Sequence, residues 1–240
     1  LKPQSEKTQM AGINVNFTRK SVRNINLRIS RTDGEVMVSA PLRVKRELVE
    51  SFVASRADWI SRAQNRVLSR QPTEQAEYVS GERISYLGKK LLLTVEEGRG
   101  AVQLDQDRQE LKVYVPRNAN LKRRQTALED FYRQELSSRL PVYLEVWQPI
   151  VGAKAKECRV RKMKSRWGSC NTRQARIWMS LELIKYPPQC IEYVLVHELT
   201  HLLEPSHNKR FHRLVGEAMP NWREHKNRLS QGLRLDERVS

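Results

Sequence analysis

The chain has 240 residues, 39% of them hydrophobic and 30% charged, with 44 Lys and Arg against 27 Asp and Glu for a net charge of +17. That length allows one large domain or two small ones with real cores, and no apolar run approaches the roughly 18 residues of a membrane span. A charge so far from neutral favours nucleic acid, anionic membrane or acidic protein as partners, and says nothing about fold.

The opening residues, LKPQSEKTQM, carry no apolar stretch of the kind a secretory signal needs, and no initiator Met. Cys158, Cys170 and Cys190 are too few and too scattered for a disulfide framework and form no C-x-x-C pair. That usage fits a reducing, cytoplasmic setting.

Over residues 13–31, Val15 and Phe17, then Ile25, Leu27 and Ile29, alternate with polar residues, which predicts half-buried strand. Asp33-Gly34 predicts a hairpin turn and 36–40 the return strand, ended by Pro41. From Val44 to about Leu68 the spacing is helical, with Leu48, Phe52, Trp59, Ile60 and Val67 as the expected buried stripe, and Gln71-Pro72-Thr73 breaks it. Residues 83–87 and 90–95 flank Gly88 as a short hairpin, and 102–104 and 111–115 flank a polar turn. Pro116 then closes this group as Pro41 closed the first, ahead of a long helix expected over 121–147. The order hairpin, Pro, helix thus occurs twice, a faint internal duplication too degenerate in sequence to rely on.

Residues 154–176 hold nine basic residues against one acid, Glu157. Such a run reads either as a solvated hairpin face or as a surface that neutralises phosphates, with non-specific DNA association left open. With one aromatic ahead of Trp178, it does not indicate a base-stacking platform. Ile177, Met179, Leu181 and Leu183 then alternate cleanly, which predicts a strand over 177–183 placed at a sheet edge, where an extended peptide could add.

The next stretch, 196–212, reads VHELTHLLEPSHNKRFH. His197 and His201 are four apart on an apolar helical segment with Pro187 and Pro188 ahead and Pro205 behind, so one helix face presents both imidazoles. His207 follows a chain reversal at Glu204-Pro205-Ser206 and is the natural third ligand. Three protein ligands with an open fourth place is the arrangement of catalytic zinc (Zn2+), and Glu198 stands where a carboxylate reaches the activated water. All five histidines fall in the last quarter of the chain. The competing reading is structural zinc in a basic nucleic-acid-associated protein, and it needs a fourth ligand such as Cys170 or His212. Glu182 or Glu192 could orient a ligand imidazole, Tyr193 could hydrogen-bond nearby, and Cys170 as a nucleophile lacks an orienting partner. A further helix after His207, with Phe211, Leu214 and Val215 inward, is expected to stop near Met219-Pro220, followed by a charged helical tail from Asn221.

The run Arg166-Trp167-Gly168-Ser169-Cys170, an alternating strand, a Pro, and H-E-L-x-H with His six residues on resembles the YgjP-like family of metallopeptidases. Ser80-Gly81-Glu82 and Tyr86-Leu87-Gly88 extend the likeness over most of the chain. The metal segment alone is also similar to SprT-like and WLM proteases, which act on proteins crosslinked to DNA. The resemblance implies His197, His201 and His207 as zinc ligands and Glu198 as general base. The family pattern has Asn where Ser180 stands and often His where Glu204 stands, which marks Ser180 as a position of the strand that engages substrate. Arg166 and Trp167 are further substrate-side candidates, Arg166 for a carbonyl or peptide terminus, Trp167 otherwise as core. The expected protein is α+β, with a strand-rich N-terminal portion over 1–118 containing both strand-Pro-helix units and a minimal zincin domain over 119–240, acting as a cytoplasmic zinc peptidase on peptide or protein substrates.

Overall fold

The computed structural model describes residues 5–30, 33–68, 76–99, 102–163 and 165–231. It divides into two compact units, Leu1–Ala76 and Glu77–Ser240.

In the first unit, β1 (Ser5–Met10), β2 (Ile13–Lys20), β3 (Asn26–Ile29) and β4 (Val36–Pro41) form one sheet in the order β1-β2-β4-β3. β2 runs parallel to β4, and the other two pairings are antiparallel. β1 has no apolar alternation to announce it; only Met10 is buried, as suits an edge strand. It is tied to β2 by a two-residue turn in which Ala11 and Gly12 both take positive φ, 49° and 77°, the geometry that matches strand twist. The helix expected over 44–68 is two helices, α1 (Arg46–Ala54) and α2 (Ala57–Leu68). Val49, Val53 and Ile60 enter the core, while Leu48 is 60% and Trp59 41% exposed. Two apolar stripes lie one residue apart on this segment, and spacing alone does not distinguish them; the sheet takes the β-branched one.

The second unit opens with β5 (Arg83–Tyr86), β6 (Lys89–Glu97), β7 (Gln103–Asp105) and β8 (Glu110–Val115), in the order β5-β6-β8-β7. Parallel and antiparallel pairings match those of the first sheet strand for strand. α3 (Leu121–Val151) follows, longer than expected by one turn. Asn120 caps its start by accepting from the Arg123 N–H, and Gly152 ends it in the left-handed region at φ 74°. A three-stranded sheet comes next: β9 (Glu157–Arg161), β10 (Gly168–Asn171) and β11 (Arg176–Ser180), in the order β10-β11-β9. A 3-10 turn over Leu181–Lys185 leads into α4 (Pro188–Thr200), then α5 (Lys209–Ala218) and α6 (Trp222–Gln231).

The fold is thus mixed α/β with strands concentrated in the N-terminal half and helices towards the C-terminus, but three details differ from expectation. The division falls after Ala76 and not after residue 118. The reason is packing: Leu91, Leu93, Leu111 and Val113 of the second sheet share one core with Leu128, Tyr132, Leu136 and Leu140 of α3 and with α4. The strand expected over 177–183 stops at Ser180, where Leu181, Leu183 and Ile184 turn inward as a 3-10 helix. It is also the central strand, paired with β9 and β10, so the edge on this side is β10. Residues 71–73 and the end of the tail, 232–240, lie outside the described residues. Among the described residues no helix is long and apolar enough to cross a membrane.

Candidate metal centre

Pro187 and Pro188 start α4 at positions where a missing N–H costs nothing. The helix is buried on nearly every side, through Cys190, Ile191, Tyr193, Val194, Leu195, Val196 and Leu199, and packs against α3, α5, α6 and strands β10 and β11. His197 lies in its last turn and His201 at its C-cap. The chain then reverses. The Glu204 carboxylate accepts from the Ser206 N–H at 3.3 Å and meets Arg210 at 3.5 Å, and Asn208 caps α5 by accepting from the Phe211 N–H at 3.0 Å. His207 is delivered by this closed turn.

One nitrogen from each of His197, His201 and His207 lies within 4.8 Å of the others. Nε2 of His207 is 3.0 Å from Nε2 of His197, close to the roughly 3.3 Å that two imidazoles keep on one tetrahedral zinc. His201 turns its Nδ1 to the Glu204 carbonyl at 3.2 Å, which leaves Nε2 free for an ion. Burial, and then repulsion from His201 and His207, push His197 down to about 3, so its ring is neutral with its lone pair available. His207 is lowered by the same first two causes, burial and His201. A donor set of three convergent imidazoles fits a zinc ion.

Beneath the three rings lies Phe211. Its centroid is 4.8 Å from that of His197, 4.7 Å from His201 and 4.7 Å from His207, and the side chain is fully buried. The sequence marks Phe211 as inward-facing but gives it no part in the site; its spacing of four from His207 was the available signal. A second group is Gly168, which the sequence offers as a glycine for a tight turn or a close approach of backbone. A Cβ built there would lie 2.6 Å from Oε1 of Glu198 and 2.8 Å from its Cγ, so β10 passes directly over the carboxylate. Gly168 serves close approach and not a turn. Burial raises Glu198 to about 8, against the pull of the nearby Arg166; a cation beside it favours the ionised form.

The remaining sequence candidates separate. Arg166 is exposed and within electrostatic reach of Glu198. Trp167 packs on the core, edge-on to Tyr186 at 5.0 Å. Ser180 is buried, donates its backbone N–H to the Trp167 carbonyl at 2.8 Å, and its Oγ has no partner among the described residues. Glu182 pairs with Lys185 and Glu192 accepts from Trp147, and it is the Glu204 carbonyl that meets an imidazole of the cluster, at His201 Nδ1. Tyr193 presents its ring to His197 at 6.1 Å. Cys170 is pushed up to about 11, mostly by burial, as an inert thiol is. His212 stacks on Trp222 at 5.5 Å. Among the described residues neither Cys170 nor His212 joins the cluster, which stands at three.

The family model described as YgjP-like, metallopeptidase domain, matches residues 23–232. A solved structure, the crystal structure of the metallopeptidase zymogen of Pyrococcus abyssi abylysin, is similar at 23% identity over 40% of this chain and 96% of that chain, with a TM-score of 0.37. Comparison with curated proteins finds no match.

Proposed function

The chain belongs to the YgjP-like metallopeptidase family, and on that premise we propose that it is a zinc-dependent peptidase of zincin type in which His197, His201 and His207 hold the ion and Glu198 is the general base. One observation carries the reading: three imidazoles bring a nitrogen each to within 4.8 Å of one another, with Glu198, the residue after His197, buried and no fourth protein ligand among the described residues. Structural zinc sites are closed by four protein ligands, and an open place suits catalysis. A zinc ion held there supplies Lewis acidity, polarising a peptide carbonyl and making water nucleophilic near neutral pH. The Glu198 carboxylate accepts the attacking water's proton and hands it to the leaving nitrogen. Gly168 fixes where that carboxylate sits. An extended peptide adds along the free edge of β10, whose backbone already passes over Glu198, and Arg166 meets its carbonyl or terminal carboxylate.

The test is metal content by mass spectrometry alongside hydrolysis of a quenched fluorescent casein. Wild type is expected to carry about one zinc per chain. Glu198→Gln keeps the zinc and loses hydrolysis by a factor of about a thousand or more, within the range expected of a general base. His207→Ala loses both. Full activity in the Glu198 variant, or a wild type that takes up no zinc, would sink the mechanism.

A further inference from the structure

The outward face of the β9–β11 sheet carries chemistry that peptide hydrolysis does not use. Residues paired in register share a face. Glu157 and Arg159 of β9 therefore align with Arg176 and Trp178 of β11, Arg161 stands opposite the buried Ser180 at the covered end, and Ser169 and Asn171 of β10 complete the row. The opposite face, with Cys158, Val160, Cys170, Ile177 and Met179, packs on the core. Trp178 is left outside that core and partly exposed, on the central strand, with neighbours on both sides. Arg159 lies opposite it in register, and the Arg161 guanidinium sits 5.9 Å from its ring centroid. The one carboxylate on this face, Glu157, is shared between Arg159 and Arg176. Lys154, Lys156 and Arg173 stand exposed at the margins.

We propose that this face binds single-stranded nucleic acid, with Trp178 stacking on a base and Arg159, Arg161 and Arg176 meeting backbone phosphates. An aromatic ring lying among guanidinium groups on a sheet face matches a strand whose bases are free to stack, and a +17 chain supplies the long-range attraction. A duplex hides its base faces, so a ring in this position offers it nothing. The candidate stacking group comes from the strand that continues past the basic run: Trp167 turns inward and Trp178 outward, a distinction that alternation shows only once the strand's partners are known.

The experiment is fluorescence anisotropy of a labelled oligothymidylate of about 20 nucleotides, longer than one site of this kind occupies, titrated with the full chain at several salt concentrations. Affinity is expected to fall with salt, with a slope of about 0.7 per phosphate contacted. Trp178→Ala should weaken binding by about 5- to 100-fold, as loss of one stacked base does, with Trp178→Phe restoring most of it and duplex binding unchanged. The Arg159→Ala/Arg161→Ala pair should reduce the salt slope by about 1.4. The Lys122→Ala/Arg123→Ala pair, which removes equal charge at the start of α3, should leave the slope as it was. No binding at low salt, equal loss from both charge pairs, indifference to Trp178→Ala, or equally tight capture of poly-glutamate would each overturn the proposal. Thermal unfolding of every variant separates a lost surface from a lost fold.

Discussion

At position 168 the space a side chain would take is filled by the Glu198 carboxylate, and that close approach makes a glycine a positioning residue. A methyl group at position 168 would stand 2.6 Å from Oε1 and 2.9 Å from Cδ, too close to be absorbed without swinging the carboxylate aside. Displacing a catalytic group by an ångström costs on the order of a hundredfold in rate. Gly168→Ala is therefore expected to lower kcat by about that factor while zinc content stays at the wild-type level, read from hydrolysis rate and metal analysis on the same sample. Equal kcat would show that the carboxylate has room. Phe211 is the matching case on the metal side. Its ring touches all three imidazoles, so each ligand's orientation depends on one shared support. Phe211→Leu keeps a bulky apolar side chain and costs less than about 1.5 kcal/mol of stability. It should nonetheless weaken zinc affinity by roughly tenfold, measured by competition with a chelator, as loss of an orienting partner does. Unchanged affinity would leave Phe211 as ordinary core. The histidine cluster was legible in the sequence because helical spacing alone puts His197 and His201 on one face. Gly168 was legible only as a glycine for a turn or a close approach and Phe211 only as inward-facing, because what each of them meets depends on which strand and which helix pack there.

At the scale of elements, α4 is placed by a turn remote in sequence. Leu87 and Gly88 form the two-residue link between β5 and β6, both with positive φ, 47° and 81°. The Leu87 N–H donates to the Ile184 carbonyl at 2.7 Å and the Gly88 N–H to the Lys185 carbonyl at 3.2 Å, pinning the segment just ahead of the helix. An added Cβ at Gly88 would lie 2.7 Å from Cγ of Pro187, the N-cap of α4. Gly88→Ala combines a left-handed backbone with that clash, and should destabilise the protein by about 1–3 kcal/mol, seen as a lower midpoint in thermal unfolding. An unchanged midpoint would mean that the turn does not hold the helix. The Gly88 hairpin was visible from its flanking strands, and α4 from its apolar spacing and bracketing prolines. The 3-10 turn was not, because Leu181 and Leu183 continue the alternation of Ile177 and Met179 past the strand's true end. Period two describes buried residues in a strand and in a tight turn equally well.

Across the whole molecule one arrangement recurs. In each sheet a strand is joined by a later strand running parallel to it, and the strand between them in sequence pairs antiparallel on the far side: β2, β3 and β4, then β6, β7 and β8, then β9, β10 and β11. The first two sheets also share a leading hairpin strand, and each of the three is followed by proline and helix. The sequence showed two of these units faintly and hid the third, because pairing order leaves no mark in composition. It also placed the domain boundary after both strand-Pro-helix units, whereas burial assigns them to different cores. Met10, Val15, Phe17, Val36, Val38, Val49, Val53 and Ile60 close one cluster within residues 1–76, and the second cluster draws every member from beyond residue 76. A unit whose buried residues all lie within itself should fold by itself. The fragment 77–240 is therefore expected to unfold in one cooperative transition and to bind zinc with an affinity within about threefold of the full chain, a difference below 1 kcal/mol. Calorimetry and chelator competition on the fragment check this directly. A fragment that is molten, with retained far-UV but lost near-UV dichroism, would mean that the second core depends on the first unit.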